Sequence, residues 1–403
     1  MSQPLSEQTI ALVKATVPAL EAHGLAIVRE MYDRLFQNPD IAALFNQSHH
    51  GGSGSQSRAL TGAILSYASN VENLAALAPA VERIAQKHVG LQIVPEHYPF
   101  VADALLGAIK AVLGDAATDD ILAAWGEAYW FLANILIARE ERLYTDQRTA
   151  EGGWNGWREF EVAEVAPESA VITSFTLRPA DGEPVMAHRP GQYLTFSFDI
   201  PGHAPVKRNY SISAAPNGES YRISVKREPQ GLASGWLHDN AGVGTRFKVA
   251  APSGEFFLDA VTERPVVLLS GGVGLTPLVA MLEALVAKGG AVPIHYVHGT
   301  HDRTTHAMRD HVRALAAKAS SVSITDFHQQ PLPDEVPGRD YDIAGIITDE
   351  WLLAHTPVAE ADYYICGPRA FLRHAVATLS QAGVAASRIH YEFFGPADEL
   401  LAA

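Results

Sequence analysis

Val266-Val267-Leu268-Leu269-Ser270-Gly271-Gly272-Val273-Gly274-Leu275-Thr276-Pro277 decides how this chain is read. Four apolar residues in a row describe a strand buried on both faces, as in a parallel sheet. The glycines after it let a backbone approach a phosphate closely, and Pro277 suits the first turn of a helix. Free N–H groups and the dipole at that helix start favour an anion. The spacing departs from G-x-G-x-x-G, and a glycine loop alone also fits a tight strand-to-helix turn. Gly272, Val273, Gly274, Leu275, Thr276 and Pro277 are the candidate pyrophosphate contacts.

Downstream, the pattern predicts a helix over Leu278–Ala287, a strand at Ile294–Val297, a helix near Met308–Ala317, and strands at Ser323–Phe327 and Tyr363–Cys366. That alternation describes an α/β domain with a parallel sheet. Tyr363-Tyr364-Ile365-Cys366-Gly367-Pro368 ends a second buried strand, where ligands of such sheets bind. Cys366 is thus a candidate contact, or else an inert core thiol. No neighbouring histidine makes it a nucleophile.

Upstream the grammar differs. Phe160–Val165, Val171–Leu177, Tyr193–Phe198, Tyr221–Val225 and Phe247–Val249 are β-rich runs separated by Pro/Gly turns, the pattern of an antiparallel barrel. Arg208-Asn209-Tyr210-Ser211 offers an arginine for a pyrophosphate, an aromatic ring to stack and a hydroxyl to hydrogen-bond. Tyr193, in Pro190-Gly191-Gln192-Tyr193, is a second aromatic. Gly231 and Ser234 open a short helical stretch around Trp236 and Leu237. Each fragment alone fits an ordinary turn; their order ahead of the glycine loop carries the information.

The first 146 residues are helical in pattern, with apolar residues at three and four as in Val28, Met31, Tyr32, Leu35, Phe36. Thr118, followed by Asp119 and Asp120, caps a long helix running to Tyr144. A glycine-rich boundary, Ala150-Glu151-Gly152-Gly153-Trp154-Asn155-Gly156, separates this half from the barrel. A length of 403 residues accommodates two to three domains.

Composition excludes several classes. The net charge is −15, with 9 basic and 16 acidic side chains up to Asp146, so neither half can grip a phosphate backbone non-specifically. No basic amphipathic helix suits an anionic membrane surface. The single cysteine forbids a disulfide framework and any Cys-rich zinc or iron–sulfur site. No window of about 18 uncharged apolar residues suggests a transmembrane helix, and no secretory signal is visible. The expectation is a reduced, cytoplasmic, globular protein.

Five histidines lie in the helical half. His49 and His50 precede a Gly/Ser loop, His23 sits beside Gly24, and His97 lies in a Pro95–Pro99 turn. His88 falls at i+7 from Val81, after Ile84 and Ala85, which places its imidazole on an apolar helix face. It is either a core histidine with a polar neighbour or an axial haem ligand. Glu140 lies between Leu136 and Leu143 on the apolar stripe of the last helix. A buried carboxylate needs a hydrogen bond, and a metal-bound imidazole needs a partner for its other nitrogen. A His88–Glu140 pair satisfies both, with the Tyr98 hydroxyl as a third member. Tyr32 and Phe45 are candidates for the opposite side of a flat cofactor.

R-x-Y-S, then G-G-x-G-x-T-P, then C-G-P resembles the ferredoxin-reductase superfamily over about residues 155–403. Tyr32, Phe45, Gln86-Lys87-His88, the Pro-Glu-His-Tyr run ending at Tyr98, and Ala-Arg-Glu at Glu140 resemble the globin domain of bacterial flavohaemoglobins. The resemblance covers essentially the whole chain. It implies a globin domain at 1–147, an antiparallel β-barrel FAD domain at 152–261 and an α/β NAD(P) domain at 262–403. It implies haem b on His88, with Tyr98, Glu140, Tyr32, Gln56 and Lys87 as catalytic residues and Phe45 and Leu60 lining the haem. Between Phe45 and Gln56 the chain is about one residue longer than the family pattern. FAD would meet Tyr193, Arg208, Asn209, Tyr210, Ser211, Gly231 and Ser234, together with the C-terminal Glu392, Phe393, Phe394, Gly395 and Pro396. NADH or NADPH would meet the glycine loop and Cys366. The implied activity is nitric oxide dioxygenase, with O2 and nitric oxide as substrates, nitrate as product and no obligate protein or nucleic-acid partner. The resemblance also leaves room for an apolar or lipid ligand in the distal pocket. The competing expectations are a reductase acting on a hydroperoxide or quinone, and a gas sensor.

Overall fold

The computed structural model describes residues 4–45, 55–258, 263–289 and 292–395, and omits the side chains of Ser55, Gln56 and 74–76. The side chain of Gln56, and all of His49, His50 and Pro396, therefore lie outside the described residues. The chain forms two compact units, one built on residues up to Thr149 and one on Ala150–Pro201 and Arg208–Gly395.

The first unit is all helical. Its helices are α1 Glu7–Ala15, α2 Val17–Leu35, α3 Pro39–Ala42, α4 Ser55–Ser69, α5 Leu74–Gly90, α6 Tyr98–Leu113 and α7 Asp119–Thr149. Polar caps set several starts. The Ser6 hydroxyl accepts from the Thr9 N–H at 3.0 Å, and Asn38 accepts from the Asp40 N–H at 3.0 Å. Ile27, Val28, Met31 and Leu35 of α2 share one core with Ala104, Leu105, Ala108 and Ile109 of α6. The small residues at 104 and 108 let these helices approach closely. Ala85 and Val89 of α5 share a second cluster with Ala133, Leu136 and Leu143 of α7.

The long last helix exceeds its expected end at Tyr144 by five residues. At 31 residues it is long and apolar enough to cross a bilayer, but its Ala124, Trp125, Ala128, Ala133, Leu136 and Leu143 are buried within the unit.

The second unit holds two sheets. Strands β1 Arg158–Pro167, β2 Ile172–Pro179, β3 Tyr193–Phe198, β4 Val206–Ser211, β5 Tyr221–Lys226 and β6 Arg246–Val249 form an antiparallel sheet in the order β4-β3-β6-β1-β2-β5. The outer strands meet where the Ser213 N–H donates to the Arg222 carbonyl at 2.7 Å, beside an Ile212–Ile223 bridge. That contact turns the sheet into a barrel and removes its free edges. The short helix α8 spans Leu232–Asn240. The segment 208–211 is itself the end of β4, a strand that its polar composition conceals.

The other sheet is parallel. Its elements are β7 Val266–Gly271, α9 Leu275–Lys288, β8 Ile294–Thr300, α10 Arg309–Ala316, β9 Val322–His328, β10 Ile343–Ala344, α11 Asp349–His355, β11 Asp362–Cys366, α12 Arg369–Gln381 and β12 Ile389–Glu392. The order β10-β9-β8-β7-β11-β12 reverses direction between β7 and β11. Such a reversal opens a crevice at the carboxyl ends of the two central strands. Every residue of β7 is buried, as its unbroken apolar run requires.

Candidate functional site

In the helical unit, three residues from α5, α6 and α7 converge. Nδ1 of His88 lies 2.7 Å from Oε1 of Glu140 and 3.2 Å from the Tyr98 hydroxyl. Tyr98 donates to the same Glu140 oxygen at 2.6 Å. Glu140 is 2% exposed, so the carboxylate is buried but satisfied. Burial and the adjacent Glu140 charge push the Tyr98 hydroxyl far above its ordinary pKa, so it stays a donor.

Neighbouring contacts hold this triad. The Tyr129 hydroxyl donates to the Tyr98 carbonyl at 2.7 Å, and the Tyr144 hydroxyl to the Ile93 carbonyl at 2.7 Å. Arg139 grips Glu82 with two bonds, at 2.6 and 2.9 Å, and so ties α7 to α5 next to the triad. Gln86, two residues before His88, also donates to Glu82, at 2.8 Å. Lys87 is exposed on the adjoining face of α5.

His88 keeps 30% of its side-chain surface, and its Nε2 has no hydrogen-bond partner among the described residues. One imidazole nitrogen is anchored to a carboxylate while the other is accessible. That is the arrangement an axial ligand requires, and it fits haem. Among the described residues no group of three His, Cys, Asp or Glu side chains could hold a metal ion by itself.

Tyr32, Phe45 and Leu60 belong to the other helical cluster. The Tyr32 ring stacks on Phe36 at 5.5 Å and meets Phe45 edge-on at 5.7 Å. Burial pushes its hydroxyl up to about 12, so it holds its proton across the physiological range.

In the second unit the register of the parallel sheet aligns Ser270, Cys366 and Glu392 on β7, β11 and β12. At these strand ends Gly274 has no room for a side chain. A Cβ on Gly274 would lie 2.1 Å from the Cys366 carbonyl oxygen and 2.6 Å from the Gly367 nitrogen. The glycine loop and the Cys-Gly-Pro corner are therefore packed backbone against backbone. Gly272 has φ +53°, which favours glycine. Val273 precedes the start of α9, and the Thr276 hydroxyl returns to its carbonyl at 3.0 Å. Leu275, Thr276 and Pro277 are buried in the first turn. This cradle fits a pyrophosphate.

Ser211, at the end of β4, hydrogen-bonds Glu392. Burial and the Glu255 carboxylate push Glu392 up to about 8, against the Ser211 bond, which lowers it. Its Oε2 is buried without a partner among the described residues. A protonated carboxyl with one unmatched oxygen beside the strand ends fits a polar ring such as a flavin or nicotinamide. Cys366 is fully buried, and burial keeps it a thiol.

Tyr193 is buried, and Tyr210 packs its ring 5.7 Å from Phe196. Arg208 is partly buried and Asn209 is exposed. Gly231 stands at the start of α8, where the Ser234 hydroxyl accepts from the Glu228 N–H at 3.1 Å. Phe393 is partly buried, Phe394 is 48% exposed, and Gly395 is exposed.

Two buried polar groups in the α/β domain are not visible in the sequence pattern. Ser270 bonds Nδ1 of His298 at 2.8 Å, His306 meets His328 at 3.0 Å, and His328 meets Glu335 at 2.5 Å. Burial pushes His298 and His306 down to about 3, so both are neutral. Polar residues inside strand runs, His298 in β8 and His328 in β9, were the available signal. The Arg139–Glu82 brace and Glu255 also escape detection.

Residues 29–136 match the Globin family, 159–258 match the oxidoreductase FAD-binding domain, and 268–377 match the oxidoreductase NAD-binding domain. The chain is 54% identical to a flavohemoprotein of Xylella fastidiosa, covering 100% of both chains. It resembles the crystal structure of a flavohemoglobin from Malassezia yamatoensis with bound FAD and heme, at TM-score 0.87 and 26% identity, over 98% of this chain and 100% of that one. The FAD/NAD-binding domain of a nitric oxide dioxygenase from Vibrio cholerae matches 59% of this chain and 99% of its own length, at 37% identity and TM-score 0.54.

Proposed function

This chain belongs to the flavohaemoglobin family of NAD(P)H-dependent oxidoreductases, and from that premise we propose that it is a nitric oxide dioxygenase, converting nitric oxide and O2 to nitrate. The haem, FAD and nucleotide duties then fall to residues 1–147, 152–261 and 262–403. Bound FAD would divide the two electrons of a hydride into single ones, and His88 would hold the haem whose iron supplies the gas chemistry.

The observation that carries the proposal is the 2.7 Å bond between His88 Nδ1 and Glu140. A buried carboxylate that accepts this N–H gives the imidazole imidazolate character and makes Nε2 a stronger electron donor. Oxygen storage needs no such push; oxidative chemistry does. Tyr98 fixes the carboxylate by donating to the same oxygen. Tyr32 serves as a neutral hydroxyl donor on the far side, because burial keeps its proton in place. In the second unit, Glu392 holds a proton at neutral pH beside Cys366 and Ser211, which would place a neutral carboxyl against the flavin and nicotinamide rings if both were bound there.

The test is a product balance. The purified protein, loaded with haem and FAD, should form nitrate in proportion to NADH consumed, at two nitrates per hydride, only when nitric oxide and O2 are both present. NADH consumption without nitrate would transfer the activity to another acceptor.

A further inference from the structure

We propose that the corner after β8 makes this protein select NADH over NADPH, and that Asp334 enforces the choice by holding the Arg303 guanidinium. The inference rests on the α/β domain being the nucleotide site.

The sheet order gives the direction of the nucleotide. Its pyrophosphate belongs to the loop after β7, and its nicotinamide belongs on the side of Cys366 and Glu392, on β11 and β12. The adenosine must then run the other way, over the carboxyl end of β8 and the segment 301–305. NADPH differs from NADH by a phosphate on the adenosine 2′-hydroxyl, and recognising that phosphate takes an arginine free to bind it.

Arg303 is in the right place but is committed. Its Nη2 lies 2.6 Å from Oδ2 of Asp334, and its backbone N–H donates to Glu335 at 2.9 Å. The other arginines of this corner are also paired, Arg339 with Asp340 at 2.5 Å and Arg309 with Asp326 at 3.6 Å. Asp302 is filled by the Thr304 N–H at 2.8 Å and the Thr304 hydroxyl at 2.6 Å, while His301 approaches it at 3.2 Å. Arg303, Arg309 and Arg339 are thus each committed to a carboxylate, and Asp302 adds a further acidic group beside Arg303.

An arriving phosphate would have to break the Arg303–Asp334 pair and then sit beside the released carboxylate. Arg303 and Asp334 keep 42% and 66% of their side-chain surface, so the pair is weak by itself and one substitution can undo it. A ribose hydroxyl makes no such demand, because it can donate to a carboxylate.

Two readouts test this on the full-length protein loaded with haem and FAD. Stopped-flow reduction of the flavin gives the half-saturating concentrations of NADH and NADPH, and calorimetry compares ADP-ribose with 2′-phospho-ADP-ribose. The wild type should favour the unphosphorylated form by about tenfold or more. Asp334→Asn should tighten the phosphorylated form by roughly fivefold to tenfold and leave NADH within about twofold. The double variant Arg303→Ala/Asp334→Asn should lose that gain. Equal use of both nucleotides by the wild type, an unchanged ratio in Asp334→Asn, or a gain that persists without Arg303 would each overturn the proposal. Reduction by neither nucleotide would remove the nucleotide site itself, and the proposal with it.

Discussion

Oε1 of Glu140 lies 2.7 Å from Nδ1 of His88, joining α7 to α5 across 52 residues of chain. The carboxylate is 2% exposed, and the same oxygen receives the Tyr98 hydroxyl at 2.6 Å. One buried oxygen thus fixes the orientation of the imidazole. Glu140→Gln keeps the size but removes the charge. Nitrate formation should fall by roughly tenfold or more, and the haem reduction potential should rise, while haem content is retained. Spectroelectrochemistry and nitric oxide consumption on one preparation would check this; an unchanged potential would separate Glu140 from the electronic role.

Arg139 and Glu82 brace the same two helices from the flank. Their side chains are 31% and 33% exposed, so solvent screening limits the pair to about 1 kcal/mol or less. The Arg139 hydrogen bond holds Glu82 below its ordinary 4.5. A depressed carboxylate stabilises above its unfolded pKa, and the gain is lost as pH falls through the folded value. The urea midpoint of Arg139→Gln, followed by helical circular dichroism, should lie below wild type at neutral pH. The two should converge once acid takes the pH below the folded value of Glu82, which lies under 4.5. A gap that persists there would point to lost packing rather than lost charge.

Much of this architecture is legible in residue order. Val266–Leu269 announces a strand buried on both faces, and the structure buries all of β7. The apolar spacing around His88 identifies its face, because helical periodicity alone determines it. The strand at 206–211 is less visible, since Lys207, Arg208 and Asn209 hide a β pattern behind polar side chains. The two buried polar groups, Ser270 with His298 and His306 with His328 and Glu335, are illegible for a different reason. Their members come from separate strands and loops, and only sheet register brings them together. Glu255 escapes for the same reason, although it helps to raise Glu392.

Glu392 gives the second prediction in pH, of opposite sign. Its folded pKa, about 8, lies above the ordinary 4.5. A raised carboxyl contributes stability that is full below the unfolded value and lost as pH rises through the folded one. Between about pH 4.5 and 8 the reductase unit should therefore lose on the order of a few kcal/mol through this group. Glu392→Gln should flatten that decline. A protonated-carboxyl infrared band at neutral pH, present in the wild type and missing in the variant, checks the assignment directly. A wild type without that band would place the proton elsewhere.

Gly274 is where backbone meets backbone, and it separates nucleotide binding from flavin binding. A methyl group there would meet the Cys366 carbonyl oxygen at 2.1 Å and carbon at 2.4 Å. Neither atom can rotate away, because β11 is paired on both sides, with β7 and β12. Gly274→Ala must push the loop off the strand end, at a cost of about 1–3 kcal/mol in strain. The barrel does not share that contact. FAD content and reduction by dithionite should stay at wild-type levels, while reduction by NADH needs at least about tenfold more nucleotide. Gly272→Ala provides the contrast, since a Cβ there meets nothing within 4 Å and the cost is confined to its positive φ. If both variants impaired NADH use equally, backbone conformation rather than the Cys366 contact would set the shape of the loop.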